Sequence, residues 1–348
     1  MTDYIELLIR MIQTPSFSEE ENQVDGLLRD FVQKQHIPFE VGENNTWMRN
    51  RYWEEGKPVI LLNSHVDTVK PVKHWTEDPF GARITEGRII GLGSNDAGAS
   101  LISLLAVFCT MYNRQNLPYN LIYAASAEEE ISGPKGMEAL IHQLGKIDLA
   151  IIGEPTRMHM AIAEKGLMVL DCTAFGKAGH AARNEGENAL YKAIDAINTL
   201  RNFSFPKRSE VLGEVKLTVT QIQAGYQHNV VPDSCSFVVD VRTNECYSNT
   251  EVCEIVRQLI SVKAEPRSFK LNSSGIPVSH PIVQRGKSLG RDCYGSPTTS
   301  DQAVIPYPSI KIGPGDSARS HTADEYILIS EIEEGFKIYM DLLEDLNI

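Results

Sequence analysis

Continuous apolar runs at 59–62, 121–125 and 149–152 are short, bounded by polar residues and separated by stretches of helical period. Such runs predict strands buried on both faces. Ahead of them, Val24, Leu27, Leu28, Phe31 and Val32 fall on one helical stripe, and further helices are predicted over 96–112 and 134–144. Ser18 and Glu21 stand three apart just before the first stripe, which reads as a capping box opening that helix. Strands alternating with helices predict an α/β fold, a mostly parallel sheet with helices on both faces.

The texture changes after residue 164. Residues 167–175 read as a strand and 187–203 as a helix. Residues 214–223 and 235–243 alternate apolar and polar with period two, 249–262 reads as a helix, and 268–271 as a short strand. The order β-α-β-β-α-β is that of a ferredoxin-like α+β module. From about residue 280 the first texture returns, with a helix at 282–293, a strand at 309–312 and a last helix at 330–346. The expected organisation is one α/β domain, 1–164 and 281–348, interrupted by an inserted α+β domain at 165–280. A chain of 348 residues fits two domains.

Composition narrows the partners. Acidic residues outnumber basic ones 46 to 33, a net charge of −13, and no cluster of Lys and Arg interrupts that balance. Nucleic acid and anionic membrane are therefore not expected partners. The longest apolar stretch, 101–112, is too short to span a bilayer, and Asp3 and Glu6 precede any apolar run, against a secretory signal. The six cysteines form no CxxC pair. They read as reduced, buried thiols of a cytoplasmic protein.

Chemistry gathers where the predicted strands end. Leu62 is followed by Asn63-Ser64-His65-Val66-Asp67, Ala125 by Ser126-Ala127-Glu128-Glu129-Glu130, and Ile152 by Gly153-Glu154-Pro155-Thr156. Gly91-Leu92-Gly93-Ser94-Asn95-Asp96 leads into a helix, and Gly313-Pro314-Gly315 precedes Ser320-His321. Open α/β sheets bind ligands beyond the carboxyl ends of their strands. A carboxylate two residues after a histidine can hold its second ring nitrogen, as metal ligation requires. Three acids abutting a buried strand are costly unless a cation neutralises them. The glycine loop is no dinucleotide fingerprint, because Asp96 stands where the third glycine belongs and would repel a pyrophosphate. A metal site is expected, without the compact Cys/His spacing of a zinc finger.

The ordered set His-x-Asp, Gly-x-Gly-x-x-Asp, Glu-Glu, Gly-Glu-Pro and a late His resembles the di-zinc metallohydrolase family of acetylornithine deacetylase, succinyl-diaminopimelate desuccinylase, aminoacylase and the glutamate-releasing carboxypeptidases. The resemblance covers nearly the whole chain. Length and the Gly153-Glu154-Pro155-Thr156 motif are most similar to the amino-acid biosynthesis deacylases, acetylornithine deacetylase above all. It implies two zinc ions per chain, with cobalt able to substitute. Asp96 would bridge them, with His65 and Glu154 on one ion and Glu130 and His321 on the other. Asp67 would orient His65, and Glu129 would be the general base. The inserted domain would be a lid that pairs two chains into a homodimer. In it, His180 would complete the partner subunit's site, Asn229 would contact substrate and Arg242 would clamp the substrate carboxylate.

Two departures stand out. The family usually carries Lys-Gly two residues after the bridging aspartate, where this chain has Gly98-Ala99, and Glu128 stands where aspartate is commoner. Register with Ser132-Gly133 favours Glu129 over its neighbour as base. The resemblance also implies a cis Asp96-Ala97 bond. The expected reaction is removal of an acetyl or succinyl group from N-acyl-ornithine or N-acyl-citrulline in arginine biosynthesis. The alternatives are N-succinyl-diaminopimelate, a di- or tripeptide, or a non-catalytic binding relative.

Overall fold

The apolar runs form the centre of a nine-stranded sheet. The computed structural model describes all 348 residues. Strand Val59–His65 lies between Asn120–Ser126 and Leu149–Ile152, with Ser309–Lys311 next to the latter, and these pairings are parallel. The sheet is antiparallel further out, where Asn45–Arg49 joins Asn120–Ser126 and Met160–Glu164 joins Ser309–Lys311. The parallel character thus belongs to the central strands.

Successive residues of those strands enter different cores. Ile60, Leu62, Leu121, Tyr123, Leu149 and Ile151 pack in one cluster with helices Thr2–Ile12, Ala99–Met111 and Ile329–Leu343. Val59, Leu61, Ile122, Ala124, Ala150 and Ile152 pack in another with helix Met137–Leu144. Burial on both faces is why the strands read as unbroken apolar runs. Each Leu or Ile removed from water there contributes about 1.5–3 kcal/mol.

Helix Ala99–Met111 is apolar all round and lies at the centre of the larger core. By length and composition Ser94–Met111 could cross a membrane, in contrast to the expectation from its apolar stretch alone, but 83% of it is buried inside the fold. The helix starts later than residue 96. Ser94–Gly98 is a kinked turn in which Asp96 and Ala97 leave helical geometry.

Two compact units divide the chain. The first comprises Met1–Ile162, Gly275–Tyr294 and Ser300–Ile348, and the second Ala163–Ser274 with Gly295–Thr299. The return from the inserted segment therefore comes before residue 281, and the short piece Gly295–Thr299 sorts with the second unit, which the expected boundaries did not include. In the second unit, the strand order is Lys216–Ala224, Ser234–Thr243, Gly166–Phe175, Lys263–Pro266, all antiparallel. Helices Ala189–Asn202 and Asn249–Leu259 pack with alternate residues of these strands, such as Met168, Leu170, Cys172 and Ala174.

Local readings shift for identifiable reasons. The last strand is Lys263–Pro266 rather than 268–271, because Asn249 Nδ2 takes the carbonyls of Leu271 (2.8 Å) and Phe269 (3.4 Å) and holds that segment as a loop. The helix expected over 282–293 stops at Ser288. Gly290 adopts φ +75, the Gly290 N–H bonds Lys287 O (3.0 Å) and the Arg291 N–H bonds Gly286 O (2.9 Å), which is a glycine-dependent Schellman stop. All six cysteines are free, but only Cys172, Cys235 and Cys253 are buried; the other three are half-buried.

The second unit also contains a genuine capping box. Ser248 Oγ accepts the Glu251 N–H (3.2 Å) and Glu251 Oε2 accepts the Ser248 N–H (2.7 Å) at the start of Asn249–Leu259. Ser248→Ala is expected to lower the unfolding free energy of this unit by about 1 kcal/mol, read as a shifted urea midpoint at unchanged slope. An unshifted midpoint would show that the cap contributes nothing.

Candidate active site

Strand Val59–His65 ends on His65, which is 2% exposed. Its Nδ1 lies 2.9 Å from the Asp67 carbonyl and 3.3 Å from Asp67 Oδ1. That bond directs Nε2 the other way, toward Asp96 Oδ1 at 3.4 Å, Glu154 Oε1 at 3.7 Å and Glu129 Oε2 at 3.9 Å. Nε2 is buried and makes no hydrogen bond. The second oxygen of Asp96 lies 3.6 Å from His321 Nε2, which in turn meets Glu130 Oε2 at 3.0 Å. Asp96 thus stands between two groups, His65 with Glu154 and Glu129 on one side, His321 with Glu130 on the other.

The charges of this cluster strain against one another. Burial, together with Asp96, pushes the Glu154 carboxyl up to about 8. Burial also lifts Glu129 well above the carboxylate range, with Glu154 and Asp301 adding to it and His65 opposing. Burial works against a charged His65, yet the carboxylates of Glu129, Asp67 and Asp96 outweigh it and raise its pKa. His321 rises to about 9 through its hydrogen bond to Glu130. Carboxylates this close cannot all ionise without cations between them. An unpartnered imidazole nitrogen facing carboxylate oxygens, its other nitrogen held by Asp67, is a donor set that fits divalent metal. His65, Asp96 and Glu130, and separately His65, Glu129 and Glu154, bring one ligand atom each within 4.8 Å of one another.

Asp67 does more than orient His65. Its Oδ1 accepts the Glu129 N–H and its Oδ2 the Glu130 N–H, both at 3.1 Å. Glu128 turns away: its Oε2 accepts the Lys135 N–H (3.0 Å), and a Cβ on Gly133 would collide with that oxygen. The three acids therefore separate into one that closes its own loop and two that face the cluster.

Sequence reasoning missed Glu325, which is 1% exposed and accepts the N–H groups of Gly93 (3.2 Å), Asn95 (2.9 Å) and Asp96 (3.0 Å). It fixes the turn that presents Asp96, and the Asp96-Ala97 bond in that turn is cis. Its only sequence signal is an acid immediately before the apolar strand Tyr326–Leu328.

The profile of Peptidase family M20/M25/M40 matches residues 61–345. The chain belongs to this family. It is 24% identical to the succinyl-diaminopimelate desuccinylase of Orientia tsutsugamushi (strain Boryong), over 97% of this chain and 95% of that protein. It is also 24% identical to the acetylornithine deacetylase of Buchnera aphidicola subsp. Schizaphis graminum, over 98% and 97%. The structure of Bacillus subtilis YXEP, described as a dinuclear metal-binding peptidase of the M20 family, superposes with a TM-score of 0.73 at 17% identity, covering 99% of this chain and all of that one. That likeness shows the shared fold. As an M20 family member the protein is a metal-dependent hydrolase.

In this M20 chain the remaining expected residues lie in the second unit. Gly179–His180 pairs with Val230–Val231, and the Ala181 N–H bonds Asn229 O (2.9 Å), so His180 and Asn229 share one exposed loop cluster. His180 Nδ1 accepts the Ala182 N–H at 3.1 Å. Arg242 lies on another strand, opposite Lys216 and Leu167. Its Nε and Nη2 are closed on the two oxygens of Asp240 at 2.9 and 3.1 Å, so the fork expected for a substrate carboxylate already holds one of the protein's own.

A pH dependence follows for the metal-free protein. His321 rises from 6.5 to about 9, so its contribution to stability is complete below about pH 6.5 and lost as pH rises through 9. Glu154, raised from 4.5 to about 8, acts in the same direction. Chelator-treated protein should lose thermal stability between pH 6.5 and 9, and zinc uptake at pH 7 should release protons. Melting curves in EDTA and calorimetry in two buffers of different ionisation enthalpy read both. A flat profile without proton release would contradict this electrostatic account.

Proposed function

We propose that the protein hydrolyses the amide of an N-acylated amino acid, releasing the free amine and a carboxylic acid. The observation that carries this reading is the buried, unpartnered Nε2 of His65 facing Asp96, Glu154 and Glu129, with His321 and Glu130 across Asp96. His65, Asp96, Glu130, Glu154 and His321 would hold two zinc ions, with cobalt able to replace them. Bound there, the cations supply positive charge that acidifies water and polarises the acyl carbonyl.

The chain's own groups do the rest. Glu129, whose carboxyl is raised by burial, takes the proton of the attacking water and passes one to the departing amine, which leaves poorly as its anion. Asp67 keeps the His65 ring oriented and fixes the Glu129 backbone. His180 donates to the oxyanion, an effect worth about 3 kcal/mol for a single donor. Arg242 receives the substrate carboxylate on the side of its guanidinium that Asp240 leaves, and Asn229 contacts the substrate beside His180.

The substrate we favour is N-acetyl- or N-succinyl-ornithine or -citrulline, in arginine biosynthesis. Its support is the likeness to an acetylornithine deacetylase over nearly the full length of both chains and the Gly153-Glu154-Pro155-Thr156 motif. An equal identity to a succinyl-diaminopimelate desuccinylase supports N-succinyl-diaminopimelate as a second reading. We also place the protein in the cytoplasm, on its six free thiols. It acts there as a homodimer through the second unit, in which His180 serves the partner's site. Sedimentation showing only a 38.7 kDa species would remove the dimer from this reading.

A release assay over acetyl- and succinyl-ornithine, -citrulline and -diaminopimelate and short peptides, with zinc or cobalt, tests the substrate. Cleavage of peptides alone would overturn the deacylase assignment. Glu129→Gln should lower turnover at least ~100-fold with metal content unchanged, whereas Glu130→Gln should lower metal content. The reverse pattern, metal lost with Glu129 and kept with Glu130, would exchange the two roles.

A further inference from the structure

The spacing of Ser18 and Glu21 reads as a capping box, yet neither residue caps the helix that follows. Helix Asn22–Lys34 has Glu21 at its N-cap position with no side-chain cap bond. Ser18 Oγ instead donates to Asp67 Oδ2 at 2.7 Å. Glu21 is fully buried, and its Oε1 accepts the N–H groups of Glu19 (2.8 Å) and Glu128 (3.2 Å) while Oε2 accepts Asn44 Nδ2 (2.8 Å).

These bonds complete a pattern along the loop that carries the two acids. Four consecutive N–H groups are taken by side chains rather than by helix or sheet: Ala127 by Asn45 Oδ1 (2.9 Å), Glu128 by Glu21, Glu129 and Glu130 by Asp67. Glu128 sits at φ +54, a left-handed conformation uncommon for a residue other than glycine. A buried carboxylate is costly without hydrogen bonds, so the place of Glu21 is tied to the N–H groups it accepts. Ser18 in turn fixes the oxygen of Asp67 that accepts Glu130.

We propose that Ser18 and Glu21 are positioning residues for the reaction, a clasp from the N-terminal segment that sets where the Glu129 and Glu130 carboxylates stand. The clasp acts through backbone bonds at Glu128, Glu129 and Glu130. The inference rests on the reading of Glu129 as base and Glu130 as metal ligand.

The test measures cobalt affinity by optical titration, kcat and KM at saturating metal, and thermal melting, for Ser18→Ala, Glu21→Ala and Glu21→Gln. Glu21→Ala should weaken cobalt binding about 10- to 100-fold, the usual range for groups that orient ligands, and lower kcat at least tenfold with KM nearly unchanged. Glu21→Gln should recover most of both, because its Oε1 can still accept the two N–H groups and the Asn44 amide can turn to accept its Nε2. Ser18→Ala, a change too small to threaten folding, should shift metal affinity in the same direction by a smaller factor.

In a Glu129→Gln background, Glu21→Ala should cost less than a further twofold in kcat, since the group it positions is already disabled. A loss that multiplies fully in that background, or that follows only the folded fraction with Glu21→Gln no better than Ala, overturns the proposal. If the unaltered protein takes up no divalent metal, the reading of the site fails and the inference falls with it. If it does take up cobalt and Glu21→Ala binds as tightly, the inference alone falls.

Discussion

Like charge held at close range is the constraint on which this protein turns. Asp96, Glu129, Glu130 and Glu154 converge on two imidazoles, and burial pushes Glu129 and Glu154 toward their neutral forms. Left to itself such a cluster would spread or take up protons. Its geometry persists because Asp96, Glu129 and Glu130 are set on backbone that other groups hold. Asp67 takes two N–H groups below the paired glutamates, and Glu325 takes three around Asp96. Both holders are themselves buried acids, but they differ in charge: His65, Ser18 and the Glu130 N–H outweigh burial and hold Asp67 below the usual carboxylate range, whereas burial and Asp96 push the Glu325 carboxyl up to about 8 against its three amide donors.

The scaffold beneath explains the rigidity. Strands Val59–His65, Asn120–Ser126 and Leu149–Ile152 place alternate residues in two separate cores, and their registers are locked from both sides. A slip of one residue would exchange the two faces and carry His65 away from Asp96. Helix Ala99–Met111, apolar all round, fills the space behind the Asp96 turn. His65, Glu129, Glu130 and Glu154 thus sit where apolar strands end, while Asp96 comes from the turn ahead of this helix and His321 from an exposed segment between Ser309–Lys311 and Tyr326–Leu328.

The Ser-x-x-Glu motifs at Ser18 and Ser248 show how one local pattern takes different roles. At Ser248 and Glu251 the motif closes on its own backbone, exposed to solvent. At Ser18 and Glu21 the same residues reach Asp67, Glu128 and Asn44, which are 23 to 107 positions away. Local propensity is equal in the two cases. The difference is that buried donors and acceptors from distant loops surround the first motif and compete with the helix terminus.

Much of the fold was legible because periodicity is local. The apolar runs located the central strands, and the period-two stretches located Lys216–Ala224 and Ser234–Thr243 within one or two residues. The residue types after each strand already pointed to a metal site, because His and carboxylates at the ends of buried strands need neutralisation. Sequence could not assign Glu325 a role, or distinguish the Ser-x-x-Glu motif at Ser18 from that at Ser248. Nor could it show that Arg242 is closed on Asp240. Each of those outcomes depends on which donors and acceptors meet in space across tens to hundreds of residues. Hydrogen bonds and ion pairs of that kind leave no period along the chain, so the tertiary structure alone decided them.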